Sequence, residues 1–284
     1  MSKGILLVAL GHPYYAHMAF NLAVGLKYQN PDIPICLAGK NGSLDQLTDE
    51  QRKLFKIKEI KDSEVKGKYG YDPYKFKLHL NKISPFEKTL FLDVDMIWSP
   101  TKYPIDLFNE LEGKKVVTIN RGELKCTEGK LKSGWVDLNE VKDIYGLETV
   151  YDISSELIYF EKGEEADKFF EVAQKVYNDN KMNVMNFGDG KPDEAYLMVS
   201  LGINKIKLNK FMPTYWQPYY FTKLHNREFM QSHYAISVGG AFIQTHVKKI
   251  YDSIADHYFN RMGIGKAPYQ LIPKSRILKE RKKI

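Results

Sequence analysis

Two carboxylates one residue apart, Asp93 and Asp95, follow an apolar run, Thr89-Leu90-Phe91-Leu92, and lead into Met96-Ile97-Trp98. Side chains alternate along a strand, so the two acids share one side and Val94 points away. Like charges so arranged repel each other unless a cation lies between them. A divalent metal carrying a diphosphate suits such a place, because hard cations take oxygen ligands and keep phosphates as partners. The apolar run reads as a buried parallel strand, and ligands of open α/β sheets bind beyond the carboxyl ends of such strands. Without that setting, the pair reads as two solvated residues at a strand end.

Elements that could position this pair precede it. Ile5 to Leu10 reads as a strand, Gly11-His12-Pro13 as a break, and Tyr14 to Tyr28 as a helix with Ala19, Leu22, Ala23 and Leu26 on one face. Asn30-Pro31-Asp32 then turns into a second strand, Ile33 to Ala38. This βαβ opening implies an α/β fold with a mainly parallel sheet flanked by helices. Further on, the pattern gives a short helix over Asp45 to Lys53, a strand over Phe55 to Ile60 and a loop over Lys61 to Asp72. A helix then begins at Tyr74, and strands follow at Lys115 to Ile119 and Ile153 to Phe160. Helices are expected over Ala166 to Asn180 and from Asp193, behind Pro192. Asn120 to Trp135 is Lys/Gly-rich and reads as a loop, and Ala241 to His246 reads as a strand ending at the histidine. The aromatic cluster Tyr215 to Phe221 marks a more irregular, acceptor-side half of a single domain.

Length and composition fit a globular chain: 284 residues, 43% hydrophobic and 27% charged. There is no apolar run of about 18 residues to span a membrane, and Ile5 to Leu10 is too short for a signal-peptide core. Two cysteines, Cys36 and Cys126, are too few for a disulfide framework, so a reduced, cytoplasmic setting is expected. The net charge of +7 is concentrated at the end, where Lys274 to Ile284 holds six basic residues and one acid. Such a tail suits an anionic partner, a membrane surface or nucleic acid, or is a solvated terminus. The organisation implied is residues 1–260 as the catalytic domain and residues 261–284 as a basic tail.

Four segments together resemble the GT-A (Rossmann-like) glycosyltransferases, and within them the retaining, glycogenin-like and bacterial galactosyltransferase-like group. Val8-Ala9-Leu10-Gly11-His12-Pro13-Tyr14-Tyr15-Ala16 is similar to the strand and turn that hold the uracil and ribose. Leu90-Phe91-Leu92-Asp93-Val94-Asp95 is similar to the family's "LYLDaD" segment, Pro192-Asp193-Glu194-Ala195-Tyr196-Leu197 to its "DQxxLN" segment, and Gln244-Thr245-His246-Val247-Lys248-Lys249 to its late metal-binding histidine. Two features depart from the pattern. Ser154-Ser155-Glu156 stands where the family has "NSG", and Val247-Lys248-Lys249-Ile250-Tyr251 stands where it has "GxxKPW".

The resemblance, together with the chemistry of the residues themselves, gives expected roles for individual residues. Asp93, Asp95 and His246 would ligate a metal, and the mixed oxygen and nitrogen set favours Mn²⁺ over Mg²⁺. Ala9, Gly11, His12, Tyr15 and Asp93 would contact the nucleotide. Lys77 lies sixteen residues before Asp93, about where the family carries a nucleotide-sugar-binding arginine, and Lys75 nearby could serve instead. Lys248 and Lys249 would close over the diphosphate. Asp193 and Glu194 would face the sugar, although acids in a first helical turn also simply complement the dipole. Ser155 and Glu156, the latter a carboxylate in a strand-like run, would line the acceptor side.

The function implied is metal-dependent transfer of a sugar from a nucleotide-sugar donor, UDP-linked and with retention, to an acceptor glycan, a lipid-linked glycan or a modified DNA base. The DNA-modifying variant draws on the basic tail and the lysines between Lys125 and Lys132. A nucleotidyltransferase is a further alternative, but Gly11-His12-Pro13 lacks the glycine-rich basic loop expected there. A non-catalytic binding protein fits least well with the acidic pairs.

Overall fold

The computed structural model describes residues 2–11, 14–67, 70–128, 135–186, 190–216, 232–238 and 245–264. The chain opens with β1 (Lys3–Ala9), α1 (Tyr14–Gln29), β2 (Ile35–Gly39), the one-turn helices α2 (Asn41–Leu44) and α3 (Asp49–Arg52), and β3 (Lys56–Glu59). The short pair β4 (Lys66–Gly67) and β5 (Gly70–Tyr71) precedes a 3-10 turn, Lys75–His79, that runs into α4 (Leu80–Ile83). Next come β6 (Lys88–Leu92), β7 (Met96–Trp98), α5 (Pro104–Leu111), β8 (Val116–Lys125), α6 (Leu138–Tyr145) and β9 (Thr149–Glu161). The remaining elements are α7 (Glu164–Asp179), α8 (Asp193–Ile203), β10 (Thr214–Trp216), β11 (Ala235–Ser237) and α9 (Thr245–Arg261).

The fold is mixed α/β. Its principal sheet has six strands in the order β3-β2-β1-β6-β9-β8, and a smaller sheet has the order β10-β11-β7. The chain divides into two compact units. One comprises Met1–Gly4, Glu59–Phe91 and Gly113–Met212; the other comprises Ile5–Lys58, Leu92–Glu112 and Pro213–Ile284. They are called here the α8 unit and the α1 unit.

In the α1 unit, β1 and β2 pair in parallel from Ile5 opposite Ile35 to Ala9 opposite Gly39. β1 is buried along nearly its whole length, as a strand covered on both faces must be. α1 is buried almost all round from Met18 to Leu26, which is why its apolar positions form no narrow stripe. α9 packs on it. Tyr251 Oη accepts a hydrogen bond from Asn21 at 3.2 Å, and Tyr258 Oη donates to the Trp98 carbonyl at 2.8 Å.

In the α8 unit, α7 packs on α8 and α8 on β9. β8 and β9 form a long antiparallel pair with two irregularities. Thr118 and Ile119 are consecutive on β8, yet they face Ile158 and Ser154, so Ser155, Glu156 and Leu157 are extra on β9. Asn120 and Glu123 face Ile153 and Tyr151, which leaves one residue extra on β8. This second bulge explains one difference from the sequence reading. Asn120 to Lys125 continues β8 where a loop was expected, because the bulge breaks the two-residue alternation that reveals a strand. The expected helix over Asp45 to Lys53 is only the single turn α3, and α2 lies before that range.

Both cysteines are buried and free, and burial pushes the Cys36 thiol up to about 11. No helix among the described residues is long and apolar enough to cross a membrane.

Candidate functional site

α8 begins at a proline. Pro192 caps it with φ near −57°, and Asp193 and Glu194 follow in the first turn, where exposed N–H groups favour negative charge. Dipole complementarity alone would leave both acids in solvent, but Asp193 is 4% exposed. Lys77, from the 3-10 turn Lys75–His79, is also buried, and its Nζ lies 3.9 Å from Asp193 Oδ1. A charge that deep needs partners. Lys77 Nζ also donates to Ser155 Oγ at 3.1 Å and to the Ser155 carbonyl at 3.4 Å, and it lies 5.5 Å from the centre of the Phe91 ring.

Ser155 can serve this lysine because it belongs to the three-residue bulge on β9. Its backbone N–H is used in the same way, donating to Glu194 Oε1 at 3.2 Å. Glu194 Oε2 accepts the indole N–H of Trp135 at 2.5 Å. Burial pushes the Glu194 carboxyl up and the neighbouring Asp193 charge adds to this, while Lys77, the Ser155 N–H and the Trp135 N–H act in the opposite sense. The bulge thus joins a buried lysine, a buried aspartate and a glutamate fixed through both oxygens. Such a set can hold hydroxyl groups of a ligand and oppose positive charge that develops beside it.

The α1 unit carries the other residues singled out above. Asp93-Val94-Asp95 follows the end of β6, and the next strand is β7. Val94 is buried, whereas Asp93 and Asp95 are each partly exposed. The three residues form the bend between the two strands and are not themselves on a strand, so the expected strand alternation does not set their sides. The Val238 N–H donates to the Asp95 carbonyl at 2.8 Å, and β11 pairs with β7 from Ser237 opposite Met96, so the turn is tied on its far side. Two oxygen-bearing groups flanking a buried residue suit a hard cation in chemistry. Among the described residues, no cluster of three or more His, Cys, Asp and Glu side chains forms a metal site.

Ala9 is the buried last residue of β1, and Gly11 follows with φ +83°, a conformation that favours glycine. Tyr15 lies in the first turn of α1 and is partly exposed. His12 lies outside the described residues, as do 217–221 of the aromatic cluster and the whole tail from Lys274. His246, Lys248 and Lys249 lie in the first turns of α9. The expectation of a strand ending at His246 is therefore corrected for that residue. Tyr251, Ala255, Tyr258 and Phe259 are buried at helical spacing and set the local structure as a helix. The side chains of residues 245–250 lie outside the description.

Of the residues named from the sequence, Lys77, Ser155, Asp193 and Glu194 are brought together, with Ser155 bonded to Lys77 and Glu194 and not set on an acceptor side. Glu156 occupies the same bulge and is partly exposed. Trp135 was not foreseen. It closes a segment read as a polar loop, 59 positions from its partner Glu194, and a bulky aromatic among lysines and glycines was its only signal.

No family model matches the chain, and no curated protein matches it in sequence. Solved structures of similar fold are glycosyltransferases. The galactosyltransferase LgtC in complex with donor and acceptor sugar analogs is 11% identical, with a TM-score of 0.56 over 89% of this chain and 95% of that one. The glycosyltransferase GlyE of Streptococcus pneumoniae is 10% identical, with a TM-score of 0.52 over 95% of this chain and 65% of that one. Mouse xyloside xylosyltransferase 1 is 10% identical, with a TM-score of 0.50 over 84% and 98%. This chain shares their fold, GT-A.

Proposed function

We propose that this chain is a metal-dependent glycosyltransferase that takes a sugar from a nucleotide donor, UDP-linked, and transfers it with retention of configuration. The observation that carries this reading is the group around the β9 bulge: Lys77, Ser155, Asp193 and Glu194, joined within one unit of a fold shared with sugar transferases. The fold alone would support many chemistries. A buried cation beside two acids at a helix start narrows them.

As the bond from sugar to diphosphate breaks, negative charge grows on the leaving phosphate and positive charge on the sugar ring. Asp193 and Glu194 act on the sugar side, where their negative charge opposes the developing positive charge. Glu194 keeps its orientation because both of its oxygens already accept N–H groups. Lys77 binds the donor while neutralising Asp193. Gly11, His12 and Tyr15 hold the base and ribose, together with Ala9 at the end of β1. Lys248 and Lys249 contribute positive charge to the diphosphate. Asp93 and Asp95 would hold a divalent cation, Mn²⁺ or Mg²⁺, with His246 as a further ligand. When bound, such an ion supplies Lewis-acid stabilisation of the leaving diphosphate. Glu156 lines the acceptor side. The acceptor classes are a glycan, a lipid-linked glycan or a modified DNA base, and the tail from Lys274 suits an anionic one.

A donor screen tests the reading. The protein is incubated with Mn²⁺ and a panel of nucleotide sugars, and release of free nucleotide is measured. Slow hydrolysis of one UDP-sugar above the others is expected. Absence of turnover and of binding across the panel would remove the proposal.

A further inference from the structure

Asp72 is buried at 6% exposure, has no part in the roles given above, and accepts hydrogen bonds from three directions. Its Oδ1 accepts the Tyr74 N–H at 3.0 Å, just before the turn that carries Lys77. Its Oδ2 accepts the phenol of Tyr177, on α7, at 2.8 Å, and the Lys191 N–H at 3.4 Å, two residues before Asp193. Its carbonyl also accepts the Lys75 N–H at 3.3 Å. One side chain therefore ties together the segments that deliver Lys77 and Asp193, and anchors both to α7.

Two further observations point the same way. A Cβ at Gly190 would overlap the Asp72 carboxylate and crowd the Tyr74 ring at 2.8 Å, so the chain approaches Asp72 there as only glycine allows. The Tyr177 ring also packs edge-on against Tyr196 of α8, with centroids 5.0 Å apart. The Tyr177 hydroxyl is held protonated by burial and by its bond to Asp72. A phenol that stays a donor and a carboxylate that accepts it make a rigid link.

We propose that Asp72, with Tyr177 and Gly190, is a positioning residue that sets the Lys77–Asp193 pair and so the start of α8. This rests on the proposed function, because the pair's value lies in its action on the donor sugar. Asp72 touches none of the reacting groups. An aspartate suits the place because both oxygens are needed as acceptors. An asparagine would turn an NH2 group toward a donor on one side.

The test combines activity with a signal independent of it. The protein has three tryptophans, and labelling with fluorotryptophan gives Trp135 its own fluorine resonance, assigned from the Trp135→Phe spectrum. That resonance reports the start of α8 through the indole bond to Glu194. Asp72→Asn and Gly190→Ala are expected to move it and to lower kcat by about tenfold to a hundredfold, as displaced reacting groups do. The donor KM should rise too, because Lys77 binds the donor, but by less than kcat falls. Glu161→Gln, elsewhere in the same unit, should leave both the resonance and kcat as in the parent. A folded Asp72→Asn protein with unchanged kcat overturns the proposal, whether or not the resonance moves. If Asp72→Asn does not fold, Tyr177→Phe decides: lowered kcat with a shifted resonance supports the proposal, and parental values overturn it. If the parent turns over no nucleotide sugar, the functional reading fails by itself. The resonance then decides the structural half, since an unmoved signal in Asp72→Asn shows that Asp72 does not set the start of α8.

Discussion

Two acidic pairs in this chain are built in opposite ways. Asp193 and Glu194 are neighbours on one helical turn, and the protein holds them with its own donors: Lys77, the Ser155 N–H and the Trp135 indole. Asp93 and Asp95 flank a buried valine at the end of β6, and both remain partly exposed. The first pair is oriented through identified bonds to side chain and backbone. The second has its backbone tied by Val238. A group fixed by the protein responds to mutation through geometry. A group whose task is to bind an external cation responds through affinity. The two pairs should therefore fail differently.

The largest expected effect is at the exposed pair. Asp95→Asn should lower nucleotide-sugar turnover by at least about a thousandfold, roughly 4 kcal/mol of transition-state stabilisation. Its melting temperature should match the parent's within about 2 °C, because a partly exposed position adds little to the core. Activity in this variant close to the parent's would make the two pairs alike in having no metal role.

Lys77→Ala should damage the buried pair most. Removing one partner of a buried ion pair leaves the other charge uncompensated, at a cost of about 3–5 kcal/mol. Chemical denaturation should show that loss in Lys77→Ala but not in Asp95→Asn. Equal stability of the two variants would erase the contrast between the pairs.

Glu194→Gln should come next, with kcat reduced by about tenfold to a hundredfold and nucleotide affinity little changed. Glutamine has one acceptor oxygen for two N–H groups, so either Trp135 or Ser155 loses its partner. Isothermal titration with UDP alongside steady-state kinetics separates the two quantities. A change confined to nucleotide affinity would move Glu194 from the sugar to the base.

Glu161 offers a third kind of carboxylate, one with a structural task. Burial would raise it, but the hydrogen bonds from Lys115, Tyr159 and the Gly113 N–H, with the Lys115 charge, hold it down at about 2. The folded value lies below the ordinary one, so its contribution is present above about pH 4.5 and is lost as pH falls toward 2. Glu161→Gln should therefore lower stability at pH 7 by about 3 kcal/mol at most, and the difference from the parent should shrink in acid. Turnover should change by less than about twofold. A gap between variant and parent that stays constant down to pH 2 would contradict the assignment.

The sequence made one pair much more legible than the other. Asp93 and Asp95 stand out because a fully apolar run precedes them, although they lie in the bend after that strand and not on it. The βαβ opening, the helices α1, α7 and α8 and the GT-A fold followed from periodicity and from the four resembling segments. What could not be read depends on non-local pairing. The bulge that frees Ser155 arises from the register of β8 against β9, and no local pattern encodes that register. Trp135 and Asp72 reach their partners across 59 and 119 positions. His246 was misread as a strand end because the apolar residues that make α9 a helix come after it, at Tyr251, Ala255 and Tyr258.

The most direct test is turnover of the preferred nucleotide sugar by the full chain after dialysis against EDTA, then after return of Mn²⁺, with Asp95→Asn treated in parallel. The parent should lose nearly all release of free nucleotide in EDTA and recover it with Mn²⁺, while Asp95→Asn stays inactive in both. Undiminished release in EDTA, or full activity of Asp95→Asn, would contradict the claim that this chain transfers sugar through a metal held at Asp93-Val94-Asp95.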